Sequence, residues 1–94
     1  MIKKKVTIVN EAGLHARPAA ALVKRASKYE ADFYIHLYGY KVNGKSILGV
    51  MTLAAEQGAE LELELDGPDE AAAMDAITEL IADGFGEAYE DNDE

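Results

Sequence analysis

Residues 60–66, ELELELD, alternate strictly between leucine and an acidic residue. Alternation with a period of two is the pattern of a β-strand that buries one face and exposes the other. We predict a strand with Leu61, Leu63 and Leu65 inward and the glutamates outward, on a solvated face. A strand that is polar on one side indicates an antiparallel sheet whose other side is covered by helices.

The rest of the chain alternates between this strand pattern and helical periodicity. Further strands are predicted at residues 2–9, at 33–38 and in a short segment between Gly39 and Asn43-Gly44. Helices are predicted at residues 16–28, from Ile47 to about Leu53, and from Pro68 to near Gly84. The core stripes of the two longer helices are Ala19, Leu22, Val23 and Ala26, and Ala73, Ile77, Leu80 and Ile81.

The element order β-α-β-β-α-β-α predicts an α+β sandwich with an antiparallel sheet. Pro18 fits only the first turn of a helix, which places the start of the first helix near Ala16 and His15 at its edge. Periodicity does not choose among the strand orders that this string allows. A ferredoxin-like order fits the first six elements equally well.

Composition excludes several kinds of protein. The chain has no cysteine, so disulfides and thiolate metal sites are excluded, and we expect a cytoplasmic protein without metal or cofactor. No apolar run approaches the roughly 18 residues of a membrane span, so we predict no membrane insertion. A net charge of −9 argues against nucleic-acid binding.

The charges are unevenly distributed along the chain. All nine basic residues lie between Lys3 and Lys45, where only three acidic residues oppose them, and fifteen acidic residues follow Ile47. The basic half contains His15, so a local positive field can attract a phosphate or an acidic partner. The acids at the end of the chain are interpreted as a solubilising tail.

His15 and Arg17 lie in GLHARPAAALV, residues 13–23. At a helix N-terminus, unpaired N–H groups and the helix dipole favour a bound anion and the neutral, nucleophilic form of imidazole. Arg17 can stabilise a phosphoryl group attached to that ring. An ordinary turn histidine and a solvated arginine are the structural alternative, and His36 is interpreted as surface structure. Ser46 is predicted as an N-cap or as a phosphorylation site.

Two motifs together resemble a known family. GLHARPA at residues 13–19 and KSILGVM at residues 45–51 are similar to the two signatures of HPr, the histidine-containing phosphocarrier of the bacterial phosphoenolpyruvate-dependent phosphotransferase system. The resemblance covers the chain from about Ile2 to Glu87, which gives an HPr-like domain at 1–87 and an acidic tail at 88–94. It implies an open-faced sandwich of four antiparallel strands with three helices on one face.

The resemblance also implies roles for individual residues. Enzyme I phosphorylates His15 on Nδ1, an enzyme IIA domain receives the phosphoryl group, and Arg17 stabilises it. The partner-docking patch corresponds to Ala20, Lys24, Ile47, Leu48 and Met51. Ser46 matches the serine that an HPr kinase/phosphorylase modifies in part of the family. We expect a monomer that is a carrier and has no independent turnover.

Three departures from the family pattern bear on function. Ala16 lacks the hydroxyl of some members, and Leu48 replaces a more usual methionine. VNGKSILGVMTLAAEQG, together with FGE near the end, resembles the nitrogen-branch carrier more than a sugar-dedicated one. Nitrogen regulation and sugar transport therefore both stay open. The alternative function is a regulatory protein whose patch at Ile47, Leu48 and Met51 binds partners according to phosphorylation state.

Overall fold

Four strands and three helices make up the computed structural model, which describes residues 1–86. The elements are β1 (Ile2–Thr7), α1 (Ala16–Ala26), β2 (Asp32–Leu37), β3 (Tyr40–Asn43), α2 (Ile47–Thr52), β4 (Glu60–Asp66) and α3 (Glu70–Ala82), followed by a 3₁₀ turn at Gly84–Gly86. The predicted domain end at residue 87 and the tail at 88–94 lie outside the described residues.

The strands form one antiparallel sheet in the order β1-β4-β2-β3. Strand β4 therefore lies inside the sheet, with Ile2 to Thr7 on one side and Asp32 to His36 on the other. A ferredoxin-like order has β1 inside the sheet, whereas here β1 is at the edge. The order thus excludes that alternative, and the prediction of an open-faced α+β sandwich is confirmed.

The core lies between the sheet and the helices. Leu61, Leu63 and Leu65 are all buried on the inner face of β4, as the alternation predicts. The residues that pack with them include Phe33 and Ile35 of β2, Ala19 and Leu22 of α1, Val50 of α2, and Ile77 and Ile81 of α3. The amphipathic stripes read from the sequence are therefore the faces that the helices bury.

Several predicted ends differ from the observed ones by one or two residues. The last helix spans Glu70–Ala82 and not Pro68 to near Gly84, and β2 spans Asp32–Leu37 and not 33–38.

Two further elements end earlier than predicted for a visible reason. Strand β1 ends at Thr7 instead of Val9, because Ile8 bonds to the chain before β4: its N–H donates to the Ala59 carbonyl at 2.9 Å and its carbonyl accepts from the Gly58 N–H at 2.8 Å. Helix α1 ends at Ala26, two residues before the predicted end. The N–H groups of Lys28 and Tyr29 bond to carbonyls three residues back, which tightens the chain out of the α-helix.

The outer face of β4 is not uniformly solvated, so that prediction is wrong for Glu64. Glu64 is only 8 % exposed, because His36 Nε2 lies 2.8 Å from its Oε1 and Lys41 Nζ lies 4.0 Å from its Oε2. Lys41 also lies 4.5 Å from the centroid of the Tyr34 ring. The hydrogen bond from His36 lowers the pKa of the Glu64 carboxyl, and burial partly opposes this shift.

No helix within residues 1–86 combines the length and the apolar character that a membrane crossing requires.

Candidate functional site

His15 is the N-cap residue of α1. Its backbone is extended and its carbonyl accepts the first helical hydrogen bond, from the Ala19 N–H at 2.9 Å. Its side chain makes no capping hydrogen bond to the first turn, and the residue is exposed. The predicted position of His15 at the helix edge is therefore confirmed, and its ring does not serve as the cap.

The first turn of α1 is electrostatically positive. It contains Ala16, Arg17 and Pro18 and no acidic residue. The N–H groups of Ala16 and Arg17 point out of the N-terminus, as in any α-helix, while Pro18 has no N–H to offer. Arg17 is exposed and adds a permanent cation two residues after His15. This end of the helix favours an anion next to the His15 ring.

The backbone just before His15 is fixed by a second loop. Gly13 has a φ of +71°, a left-handed conformation that glycine adopts without strain. A Cβ on Gly13 would overlap the carbonyl oxygen of Ala55, so the two loops are in close contact. Leu14 is buried, and its N–H donates to the same Ala55 carbonyl at 2.8 Å. The loop after α2 thereby sets the path of the chain into His15.

Asn10 also supports this loop, and sequence reasoning missed it. It is 7 % exposed, and its side-chain Nδ2 donates to the Gly13 carbonyl at 2.8 Å. The Asn10 carbonyl accepts from the Gly13 N–H at 3.2 Å. The available signal was a polar residue directly after an apolar strand end, which by itself indicates only a turn.

Helix α2 presents an apolar surface to solvent. Ile47, Leu48 and Met51 are 43 %, 78 % and 39 % exposed, while Val50 on the opposite side is fully buried. Ser46 is the N-cap of α2, and its Oγ accepts from the Gly49 N–H at 3.1 Å. The predicted cap is confirmed. The apolar side chains begin directly after it, so any change of charge at Ser46 falls beside them.

Helices α1 and α2 pack against each other, which brings the two sequence motifs into one region. Ala20 and Lys24 are exposed residues of α1. Lys45 Nζ donates to the Tyr29 carbonyl at 2.7 Å, which ties the start of α2 to the chain that follows α1. The predicted patch residues thus all lie on two adjacent helices, whereas His36 lies on the sheet face together with Glu64.

No group of three or more histidine, cysteine, aspartate or glutamate residues that could hold a metal ion occurs within residues 1–86. The groups gathered at the start of α1 are the His15 imidazole, the Arg17 guanidinium and backbone N–H groups. This combination can carry a phosphoryl group, because phosphoryl transfer requires mainly positioning and charge stabilisation.

Comparison with known proteins decides the family. Residues 2–83 match the family model described as the PTS HPr component phosphorylation site. The chain belongs to the HPr family. It is 46 % identical over 87 residues to phosphocarrier protein HPr of Neisseria meningitidis serogroup A, with 93 % of this chain and 98 % of the relative covered. It is 47 % identical to that of Treponema pallidum, with 93 % and 99 % covered.

Solved structures show the same fold. HPr-C-His from Thermoanaerobacter tengcongensis matches with a TM-score of 0.88 at 42 % identity, covering 92 % of this chain and 97 % of that one. Crh of Bacillus subtilis, whose structure is described as a dimer with a swapped domain, matches with a TM-score of 0.72 at 37 % identity, covering 89 % and 97 %. The strand order and the three helices are therefore those of HPr structures.

Membership of the family establishes the general role. The protein is a phosphocarrier of the phosphotransferase system and is not itself a catalytic enzyme. Its partners belong to that system.

Proposed function

We propose that His15 accepts a phosphoryl group from phospho-enzyme I, which obtains it from phosphoenolpyruvate, and passes it to an enzyme IIA domain in the cytoplasm. One observation carries the proposal: His15 is the exposed N-cap of α1, directly before a first turn that contains Arg17 and no acid. It lies inside the region that matches a family model for a phosphorylation site.

The chemistry follows from the surroundings of the ring. The Nδ1 lone pair of neutral His15 attacks phosphorus while the bond from phosphorus to the donor breaks, and transfer to the acceptor reverses these events. Negative charge on the phosphoryl oxygens faces the helix N-terminus and the Arg17 guanidinium, which stabilise it. Little else is required of the protein, because the donor and the acceptor complete the site.

Partner docking is assigned to Ala20, Lys24, Ile47, Leu48 and Met51. Large apolar side chains that are exposed next to one another favour a surface that a partner covers. Lys24 supplies a positive charge at the end of α1 for an acidic partner. Exchange with several partners in turn requires a surface that each of them releases, which is consistent with a monomeric carrier.

The test is intact-protein mass after incubation with phosphoenolpyruvate and enzyme I. The wild type should gain one phosphoryl group that mild acid removes, and His15→Ala should gain none. The matched control is His36→Ala, which removes the other histidine and should still be labelled. Labelling of His15→Ala, or no labelling of the wild type by an enzyme I that is active on another carrier, would contradict the proposal.

Ser46 is proposed as a regulatory site for an HPr kinase/phosphorylase. Its Oγ accepts from the Gly49 N–H, and its neighbours in the chain are Lys45 and the exposed Ile47. A phosphate on Ser46 adds negative charge beside the apolar docking residues. A partner that buries these residues then binds less tightly. Ser46→Asp should slow phosphorylation of His15 more than Ser46→Ala, which removes the cap without adding charge. Equal rates would remove the case for regulation.

A regulatory interaction protein is the second candidate function, favoured by the 78 % exposure of Leu48. It predicts partners that bind through α2 and discriminate between phosphorylated and unphosphorylated forms. Pull-downs with Leu48→Glu and wild type, each with and without His15 phosphorylation, test this candidate. The identity of the enzyme IIA that the pull-downs recover would also bear on the choice between sugar transport and nitrogen regulation.

A further inference from the structure

Asn10 is the one buried asparagine among residues 1–86, where Glu64 is the other buried polar side chain. Its position in the chain is between the end of β1 and the start of α1, five residues before His15. Asn10 is 7 % exposed and is not among the residues assigned above to phosphoryl transfer or partner docking. Its side-chain Nδ2 bonds within the loop between β1 and α1, to the Gly13 carbonyl.

Asn10 bonds to both backbone polar groups of Gly13. Its side-chain Nδ2 donates to the Gly13 carbonyl at 2.8 Å, and its backbone carbonyl accepts from the Gly13 N–H at 3.2 Å. Gly13 is buried and has a left-handed backbone, so water does not readily replace these bonds. The two bonds close a hydrogen-bonded ring over residues 10–13.

The next residue transmits this constraint to His15. The Leu14 N–H donates to Ala55 at 2.8 Å, and the His15 carbonyl begins α1 by accepting from Ala19 at 2.9 Å. Asn10 thus holds Gly13, and Ala55 holds Leu14, immediately before the N-cap residue His15. A side chain that releases the Gly13 carbonyl allows the His15 backbone to move, although every atom of the ring and of Arg17 is unchanged.

We propose that Asn10 is a positioning residue for phosphoryl transfer, and that it acts on His15 through the backbone of Gly13. The inference rests on the proposed function of His15. In-line transfer is sensitive to small displacements, and an error of about 1 Å can cost on the order of 100-fold in rate. The amide is required because its N–H₂ donates, whereas a carboxylate at the same place presents only acceptors to the Gly13 carbonyl.

The experiment compares Asn10→Asp with Gln57→Glu. Both replace an amide by a carboxylate and add one negative charge, and both lose a side-chain donor to a backbone carbonyl. Gln57 is exposed and donates to the Val9 carbonyl at 3.0 Å, so water can replace its bond. Asn10→Ala is added as a second variant, because it removes the donor without introducing charge.

Two quantities are measured on each folded variant: the kcat and KM of its phosphorylation by enzyme I, and the hydrogen exchange of the Leu14 amide. Asn10→Asp should lower kcat about 10-fold or more with KM unchanged, because the docking helices are untouched. Its Leu14 amide should exchange about 10-fold faster than in the wild type. Asn10→Ala should change both quantities in the same direction, and Gln57→Glu should change neither by more than about twofold.

Several results would overturn the inference: rates for Asn10→Asp and Asn10→Ala within twofold of the wild type, equal effects in Gln57→Glu, or losses that match the unfolded fraction of each variant. If the wild type accepts no phosphoryl group, the proposed function fails. The hydrogen exchange of the Leu14 amide then decides separately whether Asn10 fixes the backbone before His15. Faster exchange in the Asn10 variants than in Gln57→Glu then still supports positioning of His15 by Asn10. Equal exchange overturns it.

Discussion

The two histidines of this protein lie in regions that are built differently. His36 is fixed through its ring, which is 2.8 Å from a buried carboxylate on the outer face of the sheet. His15 begins a helix in a region without first-turn acids, and the bonds that fix its segment are those of the Gly13 and Leu14 backbone. An imidazole paired with Glu64 stabilises a surface, whereas one beside a helix N-terminus and Arg17 is suited to hold an anion.

The largest effect on stability is expected at the glycine that supports the His15 segment. Gly13→Ala combines a left-handed backbone with overlap between its Cβ and the Ala55 carbonyl, which should cost about 3 kcal/mol of unfolding free energy. Gly39→Ala is the control, because its φ is +82° but no atom outside its own chain neighbours lies within 4 Å of the added Cβ. It should cost about 1 kcal/mol in urea unfolding. Equal costs would show that the contact with Ala55 is unimportant.

The next largest effect is expected at Arg17, the cation beside His15. Arg17→Ala removes the cation beside His15 and should lower the kcat/KM of phosphorylation by about 100-fold, as for other charge-stabilising groups. Arg25→Ala, on the same helix, removes an arginine that donates to the Ala76 carbonyl at 3.4 Å and should change the rate by less than about threefold. If both variants lower the kcat/KM of phosphorylation by the same factor, the loss of one positive charge is responsible and the position of Arg17 is not.

The His36 region should respond through stability and pH. Glu64→Gln should cost about 1 kcal/mol near neutral pH, since it replaces a charged hydrogen-bond acceptor that is largely buried. The pKa of Glu64 is lowered in the folded state, so its stabilisation is present above the pKa of unfolded glutamate and is lost as the pH falls through the folded value.

Denaturant unfolding as a function of pH checks this sign. The difference between wild type and Glu64→Gln should shrink in acid, and the rate of His15 phosphorylation should be unchanged. Glu62→Gln, on the same face of β4, is the control for loss of one negative charge. A difference that persisted undiminished below the pH range in which unfolded glutamate titrates would contradict the lowered pKa of Glu64.

The smallest effect is expected at Ala54, in the loop that contacts Gly13. Its φ of +50° places a non-glycine residue in the left-handed region. Ala54→Gly should stabilise the protein by about 0.5 kcal/mol, because the relief of strain slightly exceeds the entropy that glycine adds to the unfolded chain. Ala54→Ser keeps the strain and should be neutral. A loss of stability in Ala54→Gly would mean that the methyl group packs usefully.

Much of the fold could be predicted from local patterns. The alternation at residues 60–66 and the position of Pro18 determine β4 and the start of α1, since both depend on the chain's own geometry. The strand order could not be obtained this way, because pairing of β1 with β4 joins residues that are far apart in sequence. Resemblance to a known family supplied it.

The site divides in the same way. The positions of His15 and Arg17 at the start of α1 and the cap at Ser46 could be predicted from residue type and spacing. Asn10 could not, because its role depends on a bond to Gly13 that only the folded loop creates. The prediction that Glu64 is solvated was wrong for a related reason. His36 contacts Glu64 from the neighbouring strand β2, and the alternation of residues along β4 carries no information about that contact.

The most direct test of the account is nuclear magnetic resonance of the protein with ¹⁵N-labelled histidine, before and after phosphorylation by enzyme I. We predict that the Nδ1 signal of His15 acquires coupling to phosphorus while the signals of His36 keep their positions. Coupling at His36, or phosphorylation without coupling at either ring, would contradict the assignment of His15 as the carrier.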